Sequence, residues 1–264
     1  MPTFETYEQG TPCYVQLTTP DVAAAREFYG ALFGWALTDI SSGEEPDQYL
    51  SCAVEGDKVA GISCQMPEQA GHPAYWTVFL AVDDVDATVA GVPAAGGKVE
   101  LEPSDVRDLG RMAAVQDPTG ARFNLWEARS EIGTQRANEP NTPVWNELVS
   151  PDLPTATRFY AEILGVTWAD SPMAEDSVLD SYQTMSVSGR AVAGALPPPM
   201  AGLPPHWNVY FNVADVDTAV AKAESLGGTA MAPAFDVPDV GRLAMLADPQ
   251  GGIFWLMGAS PEAA

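Results

Sequence analysis

TTPDVAAAREFYGALFGW, residues 18–35, and VSPDLPTATRFYAEILGV, residues 149–166, are one pattern written twice. In the first, Asp21 follows a proline and offers its side chain as an N-cap. Apolar residues then recur at helical spacing up to about Leu32, with Phe28 and Tyr29 on the way, and Gly34 supplies the stop. Residues 13–18, just before, read as a strand. Sliding the chain against itself by 131 residues superposes Phe28-Tyr29 on Phe159-Tyr160 and Gly34 on Gly165. Farther along, Asp84-Val85-Asp86 falls on Asp215-Val216-Asp217, Gly110-Arg111 on Gly241-Arg242, and Asp117-Pro118 on Asp248-Pro249. The register slips only near 41–48 and 66–72. A period this long marks duplicated domains rather than a solenoid. The expected domains are 10–128 and 142–259, joined by the polar segment 129–141, RSEIGTQRANEPN.

Each copy carries further elements. Strands are expected near 35–39, 49–54, 58–65 and 75–82. Asp84 then opens a second helix that should end at Gly96-Gly97, weakened in its last turn by Pro93. Two strands follow, near 111–116 and 121–127, around an Asp-Pro-Thr-Gly turn. The order is taken as βαβββ, twice per domain, in an α+β fold.

Acidic residues outnumber basic ones 36 to 12, a formal charge of −24. Such a field repels phosphate backbones and anionic lipid surfaces, so no nucleic-acid or membrane partner is expected. Cys13, Cys52 and Cys64 are odd in number and form no CxxC pair, which suits a reducing compartment. The start, MPTFETYEQG, lacks the basic and apolar regions of a signal peptide, and a cytoplasmic protein is expected.

Three motifs in fixed order, twice over, resemble the vicinal oxygen chelate superfamily, the glyoxalase, bleomycin-resistance and extradiol dioxygenase fold. They are the opening pair above, FLAVDDVDATVAGVPAAGG (79–97) with FNVADVDTAVAKAESLGG (211–228), and GRMAAVQDPTGARFNLWE (110–127) with GRLAMLADPQGGIFWLMG (241–258). The resemblance implies two tandem domains, each a curled mixed sheet that forms a cup with helices outside. It also implies where metal ligands would stand. Seven residues before the first helix-opening Asp lie Tyr14 and Trp145; on the fifth strand lie Thr77 and Asn208; seven after the Asp-Pro aspartate lie Asn124 and Trp255. The fourth strands, VAGIS and AVAGAL, offer no acid. A divalent ion needs three or four nitrogen, carboxylate or thiolate donors, so no metal and no other cofactor is expected.

Strand alternation then assigns the cup walls. In the first copy these are Tyr14, Gln16, Tyr75, Thr77, Phe79, Asn124 and Trp126; in the second, Trp145, Glu147, His206, Asn208, Tyr210, Trp255 and Met257. Arg122 and Ile253 fall on the same faces, whereas Trp76, Phe123 and Leu125 point to the helices. Aromatic walls with a few amides suit a small-molecule pocket. The first expectation is therefore a metal-free binding protein for a planar aromatic compound of antibiotic or polyketide type. A cationic amine on it would face Glu147. Sequestration or a supporting part in natural-product biosynthesis would follow. The alternative is a metal-independent lyase, isomerase or hydrolase using Glu147 as base and His206 as acid–base partner. A monomer is expected, since the fused second domain can replace the partner of a single-domain dimer; a homodimer is the alternative.

Overall fold

The computed structural model describes residues 3–41, 48–172 and 181–260; most of the loop expected at 41–48 lies outside the described residues. The first half runs β1 (Pro12–Thr19), α1 (Val22–Phe33), β2 (Ala36–Asp39), β3 (Tyr49–Val54), β4 (Asp57–Cys64), β5 (Tyr75–Ala81), α2 (Val85–Gly91), β6 (Lys98–Val106), β7 (Gly110–Gln116) and β8 (Arg122–Ala128). The second runs β9 (Pro143–Val149), α3 (Leu153–Leu164), β10 (Thr167–Asp170), β11 (Gln183–Val187), β12 (Arg190–Leu196), β13 (His206–Asn212), α4 (Val216–Ser225), β14 (Thr229–Ala230), β15 (Phe235–Val237), β16 (Gly241–Ala247) and β17 (Ile253–Gly258).

The first sheet has the order β2-β3-β4-β1-β5-β8-β7-β6, and the second is β10-β11-β12-β9-β13-β17-β16-β14, with β15 also on β16. In each sheet two βαβββ modules meet along an antiparallel central pair, β1 with β5 and β9 with β13. Within a module the first and last strands run parallel, as β1 with β4 and β5 with β8. All four α-helices start alike. Asp21, Asp84, Asp152 and Asp215 each accept a hydrogen bond from the backbone N–H three residues on, at 2.7–3.1 Å. Such a cap contributes about 1 kcal/mol. Gly34 and Gly165 close α1 and α3 in the left-handed region, at φ 70° and 73°, where a side chain would be strained.

Two expectations need correction. The helix after Asp84 ends at Gly91 rather than at Gly96-Gly97. Its counterpart α4 continues to Ser225, because Glu224 stands where α2 meets Pro93, which cannot donate to the helix ladder. The strand β6 was not foreseen. It is an edge strand that reads KVELEPSDV and is largely exposed, and its only apolar alternation is the short Val99, Leu101 pair.

The helices lie on the convex side of each sheet, and the convex sides face each other. One buried cluster therefore spans both halves, from Leu17 and Trp76 to Phe211 and Phe254. Phe28 and Tyr29 of α1 meet Phe254 of β17, at ring distances of 6.3 and 5.7 Å. In mirror fashion Phe159 and Tyr160 of α3 meet Phe123 of β8, at 6.2 and 5.1 Å. Two crossed relays accompany this packing. Trp76 Nε1 donates to Tyr29 Oη (3.1 Å), which donates to Asp248 Oδ2 (2.9 Å). Trp207 Nε1 donates to Tyr160 Oη (3.0 Å), which donates to Asp117 Oδ2 (3.1 Å). The other oxygen of each aspartate accepts the N–H groups of its own Asp-Pro turn. Burial pushes the Asp248 carboxyl up from its ordinary value. Among the described residues no helix is long and apolar enough to cross a membrane.

Candidate functional site

With the convex faces turned inward, the concave faces are left to solvent, and the first holds an open cavity of 1270 Å³. Strand register lays out its floor in rows. Tyr14, Phe79, Asn124 and Ala114 stand abreast on β1, β5, β8 and β7. Gln16 stands opposite Thr77, and Arg122 opposite Gln116, on either side of the next row. Tyr14, Phe79 and Trp126 pack edge to face at 5.7 and 6.4 Å. With Cys13 and Ala81 they form a small core of their own beneath the cavity. Aromatic rings thus pave the deep end, while the amides and Thr77 stand more open toward the mouth.

One corner of the floor is polar. Lys58 Nζ pairs with Glu131 Oε2 at 2.6 Å and sits over the Tyr14 ring at 5.5 Å. Tyr14 and Tyr49 share a hydroxyl–hydroxyl hydrogen bond of 3.0 Å. Burial, and then the neighbouring Tyr49, push the Tyr14 hydroxyl well above its ordinary pKa, so it stays protonated. Glu131 belongs to the segment expected to be a linker. That segment is built into the first half: Trp126 Nε1 donates to Glu131 O (2.9 Å), Gln135 N to Lys58 O (2.7 Å) and Thr134 N to Cys13 O (2.8 Å). Arg136, only 7% exposed, binds Asp57 and Glu139.

The second concave face is occupied by its own side chains. Glu147 Oε1 accepts from Tyr182 Oη at 2.8 Å, and Tyr210 donates to Oε2 in a short hydrogen bond. Trp145 Nε1 donates to Tyr182 Oη at 2.9 Å. Trp255 stacks on Tyr210 at 5.3 Å and 21°, with Phe235 against its edge at 6.3 Å. Desolvation raises the Glu147 pKa, only partly countered by the Tyr210 and Tyr182 hydrogen bonds.

Of the residues assigned to cup walls from sequence, Tyr14, Gln16, Tyr75, Thr77, Phe79, Asn124, Trp126 and His206 line this cavity. Trp145, Glu147, Asn208, Tyr210, Trp255 and Met257 do not; they belong to the second concave face. His206 reaches the first cavity from the second half, over the Pro204-Pro205 turn. Its ring lies 2.8 Å from Pro204 O and 3.1 Å from Asn208 Oδ1, and it makes no hydrogen bond to Glu147. Four site residues escaped the sequence analysis: Tyr49, Lys58, Glu131 and Tyr182. The tyrosines carried a signal. Gly61 pairs with Gln16 and Gly194 with Glu147, and a Cβ on either glycine would collide with the hydroxyl of Tyr49 or Tyr182. A change of loop length between the halves hid this equivalence. Lys58 has no repeated counterpart to mark it, and Glu131, though it falls on Glu262 at the same offset, lies in a segment read only as a linker.

Neither face fits a divalent metal. The ligand positions of the first hold a protonated tyrosine bound to Tyr49, a threonine and an amide; those of the second hold two indoles and an amide. Among the described residues the one group of three acids with converging oxygens is Asp84, Asp86 and Glu127. Those oxygens already accept from Ala87 N, from Arg111 and from Val85 N.

Comparison with known proteins agrees with this architecture. The Glyoxalase/Bleomycin resistance protein/Dioxygenase superfamily profile matches residues 13–125, and a glyoxalase-like domain profile matches residues 147–257. The chain is 40% identical, over 99% of its length and 100% of the relative's, to the "Putative glyoxylase CFP32" of Mycobacterium tuberculosis. It is 36% identical to the anthracycline biosynthesis protein DnrV of Streptomyces peucetius, over 94% of this chain and 93% of that one. The Mn(II)-bound glyoxalase from Novosphingobium aromaticivorans shares the fold, with a TM-score of 0.65, 19% identity, and 96% of this chain and 83% of that chain covered.

Proposed function

The chain belongs to the Glyoxalase/Bleomycin resistance protein/Dioxygenase superfamily, and from that premise we propose that it is a metal-independent binding protein that holds one planar, largely aromatic compound in its first cup. The observation that carries this reading is the 1270 Å³ cavity. It opens where relatives would bind metal, over an aromatic floor and between amides, a constellation that suits ligand capture rather than Lewis-acid chemistry. The relatives named for anthracycline biosynthesis support a supporting role in making or sequestering an aromatic natural product. The protein acts as a monomer in the cytoplasm, where its free thiols stay reduced. An acid–base enzyme has less support, because Glu147 and His206 serve different concave faces.

A thermal-shift screen of aromatic polyketides, thiol adducts of α-ketoaldehydes and divalent cations tests this, since a ligand of the native state raises Tm by mass action. Planar aromatics should raise Tm. Stoichiometric metal in protein purified without chelator, with an activity lost to EDTA, would overturn the metal-independent reading.

A further inference from the structure

The chain carries a formal charge of −24, yet the formal charges on the cavity wall sum to zero. Its ionisable residues, leaving the two histidines aside, are Lys58, Arg107, Arg122, Glu100, Asp105 and Glu131, three of each sign. Each is engaged by the protein. Lys58 pairs with Glu131, Arg122 with Glu100 at 2.8 Å, and Asp105 with Arg111 and Arg129 at 2.9 Å; Arg107 donates to Ile40 O at 3.0 Å. At Lys58, Glu131, Arg122, Glu100 and Asp105 a charged ligand would meet charges already paired, and burying an unpaired charge is strongly unfavourable. Glu147, the carboxylate on which a cationic ligand depended, accepts from two tyrosines on the other concave face.

The uncharged polar groups are differently placed. The Thr77 hydroxyl and the Asn124 amide line the cavity and make no hydrogen bond to any described residue. Gln16 donates through Nε2 to Ser63 Oγ at 3.0 Å, which leaves its carbonyl oxygen open. These three lie on adjacent strands β1, β5 and β8: Gln16 opposite Thr77, and Asn124 opposite Phe79, two residues farther along β5. They form one hydrogen-bonding edge beside the Tyr14, Phe79 and Trp126 floor.

We propose that the first cup selects an uncharged planar polycycle with one oxygen- or N–H-bearing edge, its rings over the aromatic floor and its polar edge along Gln16, Thr77 and Asn124. This rests on the binding-protein reading above and adds the ligand's charge and the placement of its polar groups. Four tricyclic fluorophores of similar size separate the terms: acridone, neutral with a carbonyl and an N–H; anthracene, with neither; anthracene-9-carboxylate, an anion; and 9-aminoacridine, a cation at neutral pH. In fluorescence titrations of the full-length protein, acridone should bind at least about tenfold more tightly than each of the others, the worth of one or two well-placed hydrogen bonds. Thr77→Val combined with Asn124→Leu should bring acridone to the level of anthracene while anthracene itself changes less than about twofold. Thr77→Val alone, a near-isosteric change, should show part of the same loss. The charge assignment is overturned if 9-aminoacridine or the carboxylate binds as tightly as acridone. The polar edge is overturned if anthracene matches acridone in the wild type, or if both variants leave acridone unchanged. If none of the four binds, the binding-protein reading falls and takes this inference with it; if they bind in any other order, that reading stands alone.

Discussion

The two concave faces descend from one repeat and have parted company, whereas the two convex faces keep one set of cross-contacts. Where the first cup has Asn124, Ala114 and Ser104, the second has Trp255, Met245 and Phe235. Gln16 is matched by Glu147 and Phe79 by Tyr210, which together with Tyr182 close a hydrogen-bonded cluster. Trp126, Tyr75 and Arg122, opposite Met257, His206 and Ile253 in the repeat, run the other way, with the larger side chain in the first cup. On the convex side Tyr29, Trp76, Phe123 and Asp117 repeat as Tyr160, Trp207, Phe254 and Asp248, with the same contacts. Packing that holds the halves together tolerates little change of shape. A solvent-facing hollow can be filled one residue at a time. The difference sets the first cup apart as the one that would receive a ligand under the proposed function.

The largest expected effect tests the conserved side of this contrast. Trp76→Ala and Trp207→Ala each remove a buried indole from the shared core and should cost about 3–5 kcal/mol in denaturant unfolding, within a single transition. Separate transitions for the two halves would mean that the core is not shared. Next comes the divergent side. Ala114→Met with Asn124→Trp gives the first cup the second cup's residues and should weaken acridone binding by about thirtyfold or more, the scale of a lost interface anchor. Trp255→Ala and Trp145→Ala should change affinity less than about twofold while lowering Tm; an equal loss from them would move the ligand to the second face.

A smaller effect depends on pH. Glu147 has its pKa raised by burial. The folded chain therefore holds that proton over a window from the ordinary glutamate value, about 4.3, up to the raised one. Stability from this group is greatest below the window and falls as pH rises through it. Glu147→Gln should accordingly stabilise the protein at neutral pH, and the gain should shrink in melts toward pH 4. A pH-independent difference would mean the carboxylate is not desolvated. The smallest effect concerns an exception on the convex side. Asn146 stands where the first half has Val15, is 8% exposed, and its Oδ1 has no hydrogen-bond partner among the described residues. Asn146→Val should add about 1 kcal/mol of stability, read as a rise in Tm; a fall would show that Oδ1 has a bound partner.

The fold was largely legible because its signals are local and repeated. Four Asp caps, two Gly stops and the Asp-Pro turns each act within a few residues, and one constant offset joined them. The face of each strand was legible too: alternation placed Phe123 and Leu125 in the core and Asn124 and Trp126 opposite. What sequence could not reach was the pairing of surfaces. Tyr29 satisfies an aspartate 219 residues away, and no pattern inside either copy announces a partner in the other. Nor does alternation reveal whether an inward-facing ring lines a space or fills it. Trp126 and Trp255 both point into a cup; one floors a cavity and the other stacks on Tyr210. That outcome hangs on neighbours such as Ala114 and Met245, one strand away.

The crossed seating of α1 on the second sheet and α3 on the first has a consequence for how such a protein can evolve. In a symmetric pair of identical chains, each substitution is made twice, so any residue that blocks one pocket blocks both. A covalent tandem escapes this rule. Its copies mutate separately, and a half whose hollow has filled is still needed, because Asp248 and Phe254 hold the first helix of the other. The second half is thus free to fill its hollow but not to be lost, and under the proposed function one copy can change while the other keeps its cup.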